Sequence, residues 1–306
     1  MYSSRITFLD IIRSIAIVLL LTAHTAQVFG SPLGKPFGIE NFYWVTLGGI
    51  AVTLFFILSG LALELKYGTQ QIKYKDFIIR RVLRIYPLYY LSLILGILIY
   101  ASEHHAIALH WYDAFLAATG LYAFAGEWGG PFIVTSWFLG PIFVMYFIYP
   151  ALSSSMAKYN KMSVLVLLLL TSIAFRLLIG NGILPLPNRP LDWFPLCRVF
   201  EFGLGVYIGK AFVHSNCFRF KFRYSLLNNF LATLAILSFP LFLVHIIFRF
   251  VITDLVNLGI TIPLAIIIYI ILVLFLSWVI TIIDQRIQST NLFTRQKMLP
   301  HSPQGL

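Results

Sequence analysis

Arg13 and His24 sit in one apolar run, where Leu9-Asp10-Ile11-Ile12-Arg13 leads into aliphatics and then Thr22-Ala23-His24-Thr25. They are eleven residues apart, close to three helical turns, so on an α-helix they share a face. Asp10, three residues before Arg13, reaches it on that face. A neutral imidazole in a low-dielectric site can take a proton from an attacking hydroxyl, the work of a general base. The blander role is a histidine that bonds a neighbouring helix and aids packing. Titratable groups inside a membrane span are costly, and they mark function by default. At about 1.5 Å per residue the two stand about 16 Å apart along the axis, two stations rather than a touching pair.

Three further clusters carry polar groups. In Arg80-Arg81-Val82-Leu83-Arg84-Ile85-Tyr86-Pro87, Arg81 and Arg84 are one turn apart. Guanidinium groups so placed can fork onto phosphates, although topology and anionic headgroups also call for arginines there. Pro87 should disturb the first turns of that span. Arg198 and Glu201 have the spacing of an i,i+3 ion pair, which reads as architecture first and site second. Gly205 and Gly209 after them form a face of small residues that lets helices approach closely. His245 follows Ser238-Phe239-Pro240 with Arg249 one turn beyond, facing a polar cavity or paired within the bundle. His104, His105 and His110 lack the spacing of a zinc site, and no metal is expected. Trp111, Trp128, Trp137 and Trp193 fit an interfacial belt.

These side chains have to be positioned by membrane helices. The 306 residues are 59% hydrophobic and 11% charged, with a mean hydropathy of +0.88, far from the composition of a soluble domain. Segments 8–29, 44–65, 82–101, 136–153, 163–180, 196–213, 234–251 and 262–283 are apolar and about as long as a bilayer requires. The connections alternate. One set is basic (Lys66, Lys73, Lys75, Arg80, Arg81, Lys158, Lys161, Lys210, Arg219, Lys221, Arg223, Arg286, Arg295, Lys297), the other carries Glu40, Glu103, Asp113, Glu127, Asp192 and Asp254. This positive-inside pattern explains the net charge of +11 without nucleic acid. Segment 112–126 suits a short re-entrant or interfacial helix, and segment 226–233 an interfacial helix leading into the seventh span. The expected fold is therefore an all-α polytopic transmembrane bundle of about 8 crossings, drawn from 8–10 hydrophobic helices. Residues 1–285 form one membrane domain, residues 286–306 a cytoplasmic tail, and both termini lie in the cytoplasm. Cys197 and Cys217 match neither a disulfide framework nor a metal pair. The first apolar segment reads as a span rather than a cleaved leader.

Taken in order, these pieces resemble the integral-membrane acyltransferase family 3, which includes polysaccharide O-acetyltransferases. Leu9-Asp10…Arg13…His24 resembles its opening motif, and Phe55-Phe56-Ile57-Leu58-Ser59-Gly60 its second-helix signature. Arg80-Arg81…Arg84-Ile85-Tyr86-Pro87-Leu88-Tyr89 is similar to its arginine segment. Trp137-Phe138-Leu139…Tyr146…Pro150, Arg198…Phe200-Glu201-Phe202…Gly205 and Leu243-Val244-His245 complete the series. Two departures stand out. Gly140-Pro141-Ile142 replaces a Ser-x-Glu found in many members, and the stretch from Gly209 to Ser238 is about two spans short of the usual family plan.

The resemblance implies transfer of an acyl group, most often acetyl, from cytoplasmic acyl-CoA to a hydroxyl of an extracytoplasmic glycan or lipid-linked sugar. Acyl-CoA is then a donor substrate, no bound cofactor is needed, and the setting is a bacterial inner membrane whose lipids surround the protein. Arg81 and Arg84 would hold the CoA phosphates. His24 would act as base or covalent relay, and Arg13 would orient the donor or stabilise oxyanion charge, with Asp10 fixing it. Glu201, Arg198 and His245 would support. A glycolipid or polysaccharide transporter would carry similar groups, but the repeated halves common in transporters are not evident. A non-catalytic member of an envelope-polysaccharide assembly complex is the third reading.

Overall fold

The computed structural model describes residues 7–29, 45–71, 73–104, 110–125, 130, 132–184, 193–212 and 225–297. Glu40, His105, Glu127, Trp128, Asp192, Cys217, Arg219, Lys221 and Arg223 lie outside those residues. The helices are α1 (Thr7–Val28), α2 (Val45–Tyr67), α3 (Tyr74–His104), α4 (Trp111–Thr119), α5 (Tyr122–Ala125) and α6 (Leu139–Lys158). They continue with α7 (Lys161–Gly180), α8 (Val199–Phe212), α9 (Ser225–Val244), α10 (Phe250–Asn257) and α11 (Ile262–Lys297). Short 3-10 turns, Val134–Phe138 and Pro195–Arg198, lead into α6 and α8. The protein is an all-α polytopic bundle, with no strand among the described residues.

Among the described residues six helices are long and apolar enough to cross a bilayer: α1, α2, α3, α6 with its preceding turn, α7 and α11. Their outer surfaces are hydrocarbon-like. Leu167 is 62% exposed and Leu177 58% on α7, and Ile271 is 61% exposed on α11. In water such a face would be a liability, whereas against lipid tails it costs nothing.

The remaining two expected spans differ in form. The sixth is α8 and its 3-10 turn. The seventh, expected over 234–251, is displaced: α9 begins at Ser225 and stops at Val244, and a turn then leads to the eight-residue α10. Segment 226–233 is therefore the first half of α9 rather than a separate interfacial helix. α3 likewise starts at Tyr74, which puts Pro87 mid-helix rather than in a first turn. Segment 112–126 becomes α4 and α5, too short to cross, with Gly120 in a left-handed conformation (φ 70°) closing α4.

Close backbone approach holds α2 and α8 side by side, running in the same direction. A Cβ at Gly60 would land on the Phe202 carbonyl, one at Gly205 on the Ile57 carbonyl, and one at Gly209 2.6 Å from the Glu64 Cβ. The small-residue face expected at 205 and 209 is thus met by a third glycine on the partner helix. Asn160 starts α7 by accepting from the Met162 and Ser163 amides at 2.8 and 3.3 Å.

Candidate active site

α1 and α9 run parallel, so their residues meet in register. Near the N-terminal end, Ser14 Oγ donates to the Asp10 carbonyl at 2.8 Å and to Leu231 O of α9 at 3.2 Å. Arg13 lies 3.9 Å from the buried Asp10, the pairing expected from their spacing. Near the other end, the His24 and His245 rings stand 5.0 Å apart at 44°. The structure thus brings His245 to His24 and leaves Arg13 about three turns away on the same helix.

The sequence after Pro240 makes this meeting possible. α9 ends at Val244, and His245 closes it twice: its amide donates to Leu241 O at 3.0 Å, and its Nδ1 lies 2.9 Å from the same carbonyl. Tyr269 of α11 donates its hydroxyl to the His245 carbonyl at 2.8 Å, so this helix end is not left bare. A carbonyl only accepts, so Nδ1 carries the proton and Nε2 the lone pair. That Nε2 is buried and has no hydrogen-bond partner. Thr135, before α6, donates to Leu243 O at 3.5 Å, and Phe242 lies 6.3 Å from the His245 ring. The Phe242, Phe138, Phe55 and Phe56 rings build the apolar wall behind the pair.

His24 is oriented by a residue the motif reading passed over. Its Nδ1 is 2.8 Å from Gln27 Oε1, and Arg249 Nη1 donates to the same oxygen at 3.3 Å. With Arg249 fixing the amide oxygen toward the ring, His24 Nδ1 is the donor and Nε2 keeps its lone pair. Gln27 lies three residues after His24, the spacing of helical neighbours, and that was the available signal. Both Gln27 and Arg249 line a cavity of about 480 Å³, with Tyr100 and Gly96 of α3, Phe132 and Thr253. The cavity meets the imidazole through Gln27 and Arg249 rather than at His24 itself, and an imidazole whose Nδ1 donates keeps Nε2 as a proton acceptor.

A family profile described as an acyltransferase domain matches residues 6–235. The chain belongs to this acyltransferase family. Neither a curated protein nor a solved structure gives a significant match. The matched stretch carries His24 and Gln27 but ends before His245, Arg249 and Tyr269, so half of the histidine site lies downstream of it.

The other expected site residues of the acyltransferase lie elsewhere. Arg198 and Glu201 pair at 3.0 Å, with Arg198 also donating to Thr53 of α2 at 3.0 Å and standing 5.9 Å over the Phe56 ring. Arg176 of α7 reaches Glu201 at 3.3 Å and Cys197 O at 3.0 Å. This cluster ties α2, α7 and α8 together. Arg81 and Arg84 turn to different neighbours: Arg81 donates to the Tyr67 hydroxyl at 3.1 Å and stacks 5.6 Å from Phe77, while the exposed Arg84 faces Asp284 of α11. A cavity of about 310 Å³ at this end is lined instead by Lys73, Arg80, Asp76, Gln70, Tyr67 and Phe77.

Two readings need correction. Trp137 and Trp193 are not belt residues: they stack on each other 5.0 Å apart at 6° and are only 8% and 4% exposed. Trp111, by contrast, is 81% exposed. The motif reading also missed Glu64, the most buried acid among the described residues. It accepts from Lys210 at 2.9 Å and from the Tyr149 hydroxyl at 3.2 Å. Glu64 looks in sequence like the polar end of a span, and its partners come from helices far along the chain.

Proposed function

We propose that the acyltransferase moves an acyl group, most simply acetyl, from acyl-CoA to a hydroxyl of an extracytoplasmic glycan or lipid-linked saccharide. The observation that carries this reading is the Gln27–His24 hydrogen bond, which leaves Nε2 as the basic nitrogen. In the reaction His24 Nε2 takes the proton of the acceptor hydroxyl as its oxygen bonds to the thioester carbonyl carbon. The tetrahedral intermediate collapses by breaking the C–S bond, and the CoA thiolate leaves and takes up the proton. Products are the ester and free CoA thiol.

The donor enters from the end rich in Lys and Arg, which the positive-inside pattern assigns to the cytoplasm. Lys73 and Arg80, which line the cavity at that end, supply cations for its phosphates, with Arg84 one turn further along α3 and Arg81 supporting them through Tyr67 and Phe77. From Arg80 to Gly96, which line the two cavities, is about 24 Å along α3, a distance the acyl-bearing arm has to cover. Arg13, partway along α1, is placed for the donor side rather than the proton transfer. The membrane is then a bacterial inner membrane, and the histidine end faces the acceptor.

The test uses membranes holding the full chain and CoA carrying a radiolabelled acetyl group. Label should pass to saccharide, and His24→Ala should abolish the transfer while the protein inserts in normal amounts. Undiminished transfer by His24→Ala refutes the reading.

A further inference from the structure

Arg249 is a partly buried cation to which no described residue offers a counter-charge. Arg13 has Asp10, Arg176 and Arg198 share Glu201, and Lys210 has Glu64. Arg249 is half-buried in the turn after α9, and no carboxylate among the described residues lies within ion-pair distance of it. Its guanidinium donates to the neutral Gln27 amide, which uses one of five N–H donors. A guanidinium with donors to spare beside a cavity suits an anionic ligand.

The cavity beside it has the lining a saccharide needs. Arg249 shares it with the polar groups of Gln27, Tyr100 and Thr253 and with the rings of Phe132 and Phe250. Hydrogen-bonding groups set among aromatic faces suit sugar hydroxyls and sugar C–H faces, and about 480 Å³ lies within the range of small-ligand sites. Because Arg249 also touches Gln27, an anion bound there is one residue removed from the His24 base.

We propose that the acceptor is an acidic saccharide, and that Arg249 pairs with its carboxylate or phosphate and thereby sets the sugar hydroxyl against His24. The proposal rests on the acyltransferase reading above and names its acceptor class. A guanidinium holds either anion through paired N–H donors, and Arg249 has four left to give.

The experiment compares methyl glucuronide, glucose 1-phosphate and the neutral methyl glucoside as acceptors and as equilibrium ligands of the full-chain protein in detergent. Wild type should favour at least one acidic sugar over the glucoside by about ten- to a hundredfold in kcat/KM, mostly through KM. The response to glucuronide or to phosphate distinguishes the two anions. Arg249→Gln should bring that ratio near one, and Arg249→Lys should keep part of it. A merely structural role for Arg249 would lower transfer to all acceptors alike and leave the ratio standing. A ratio near one in wild type, or one unchanged in Arg249→Gln, overturns the proposal. Should no acceptor be acylated, the acyltransferase reading fails separately and binding decides: tighter glucuronide or phosphate binding lost in Arg249→Gln sustains the anion site, and equal binding removes it. Competition by anionic phospholipid with no response to any acidic sugar would make Arg249 a lipid contact and overturn the proposal.

Discussion

Around Glu64 each carboxylate oxygen is matched, one by the Lys210 ammonium and the other by the Tyr149 hydroxyl. Around the two histidines, at the opposite end of the same bundle, no described residue partners His245 Nε2 or offers Arg249 a carboxylate. Both clusters are polar, enclosed by apolar helices, and assembled from residues far apart in sequence. One is closed on itself, so its free energy is spent in holding α2, α6 and α8 together. The other keeps capacity unused, and unused capacity in a low-dielectric setting is what a ligand can recover.

The comparison breaks most sharply at His24. His24→Ala should lower acyl transfer by about 10²- to 10⁴-fold with little change in thermal stability, measured as label transfer per inserted protein. Lys210→Met should do the reverse. It strands a buried carboxylate and should cost about 3–5 kcal/mol, read as a lower melting temperature in detergent. The pair Glu64→Gln with Lys210→Met should recover most of that loss. A Lys210→Met protein that melts as wild type would end the contrast.

Finer changes sharpen it. Gly205→Ala drives a methyl into the Ile57 carbonyl and should destabilise by about 1–3 kcal/mol, visible in the same melts. Gln27→Leu removes the acceptor that fixes the His24 tautomer and should slow transfer by about tenfold, whereas Gln27→Glu, which keeps an oxygen there, should retain more activity. Equal rates for Gln27→Leu and wild type would show that His24 needs no orienting partner. A shift of the pH–rate profile in Gln27→Glu would identify the residue as acting through the imidazole.

Local spacing made part of this legible. The i,i+3 pairs Asp10–Arg13 and Arg198–Glu201 exist because a helix fixes such neighbours wherever it goes, and the Gly205–Gly209 face packs for the same reason. What spacing cannot give is the partner across the bundle. Trp137 and Trp193 have belt-like neighbourhoods in sequence, yet the fold stacks them face to face inside the protein. His245 read equally well as a packed histidine or a cavity residue, because its place depends on where α9 stops. Leu241, Tyr269 and Thr135 decide that together, and two of them belong to other elements. Arg81 and Arg84 look like one fork in the sequence, but a helix turn directs them to α2 and to α11.

The contact between Arg249 and Gln27 joins residues 222 positions apart. A ribosome moving at about 5–20 residues per second takes on the order of 10–45 s to cover that interval. Throughout it α1 is already made, with His24 in place and Gln27 unanchored. Only when the turn after α9 arrives, and Tyr269 of α11 secures it, do His24 and Gln27 gain His245 and Arg249 beside them. On the proposed reaction the nascent protein becomes competent late, and a chain interrupted before its last helices should transfer no acyl group.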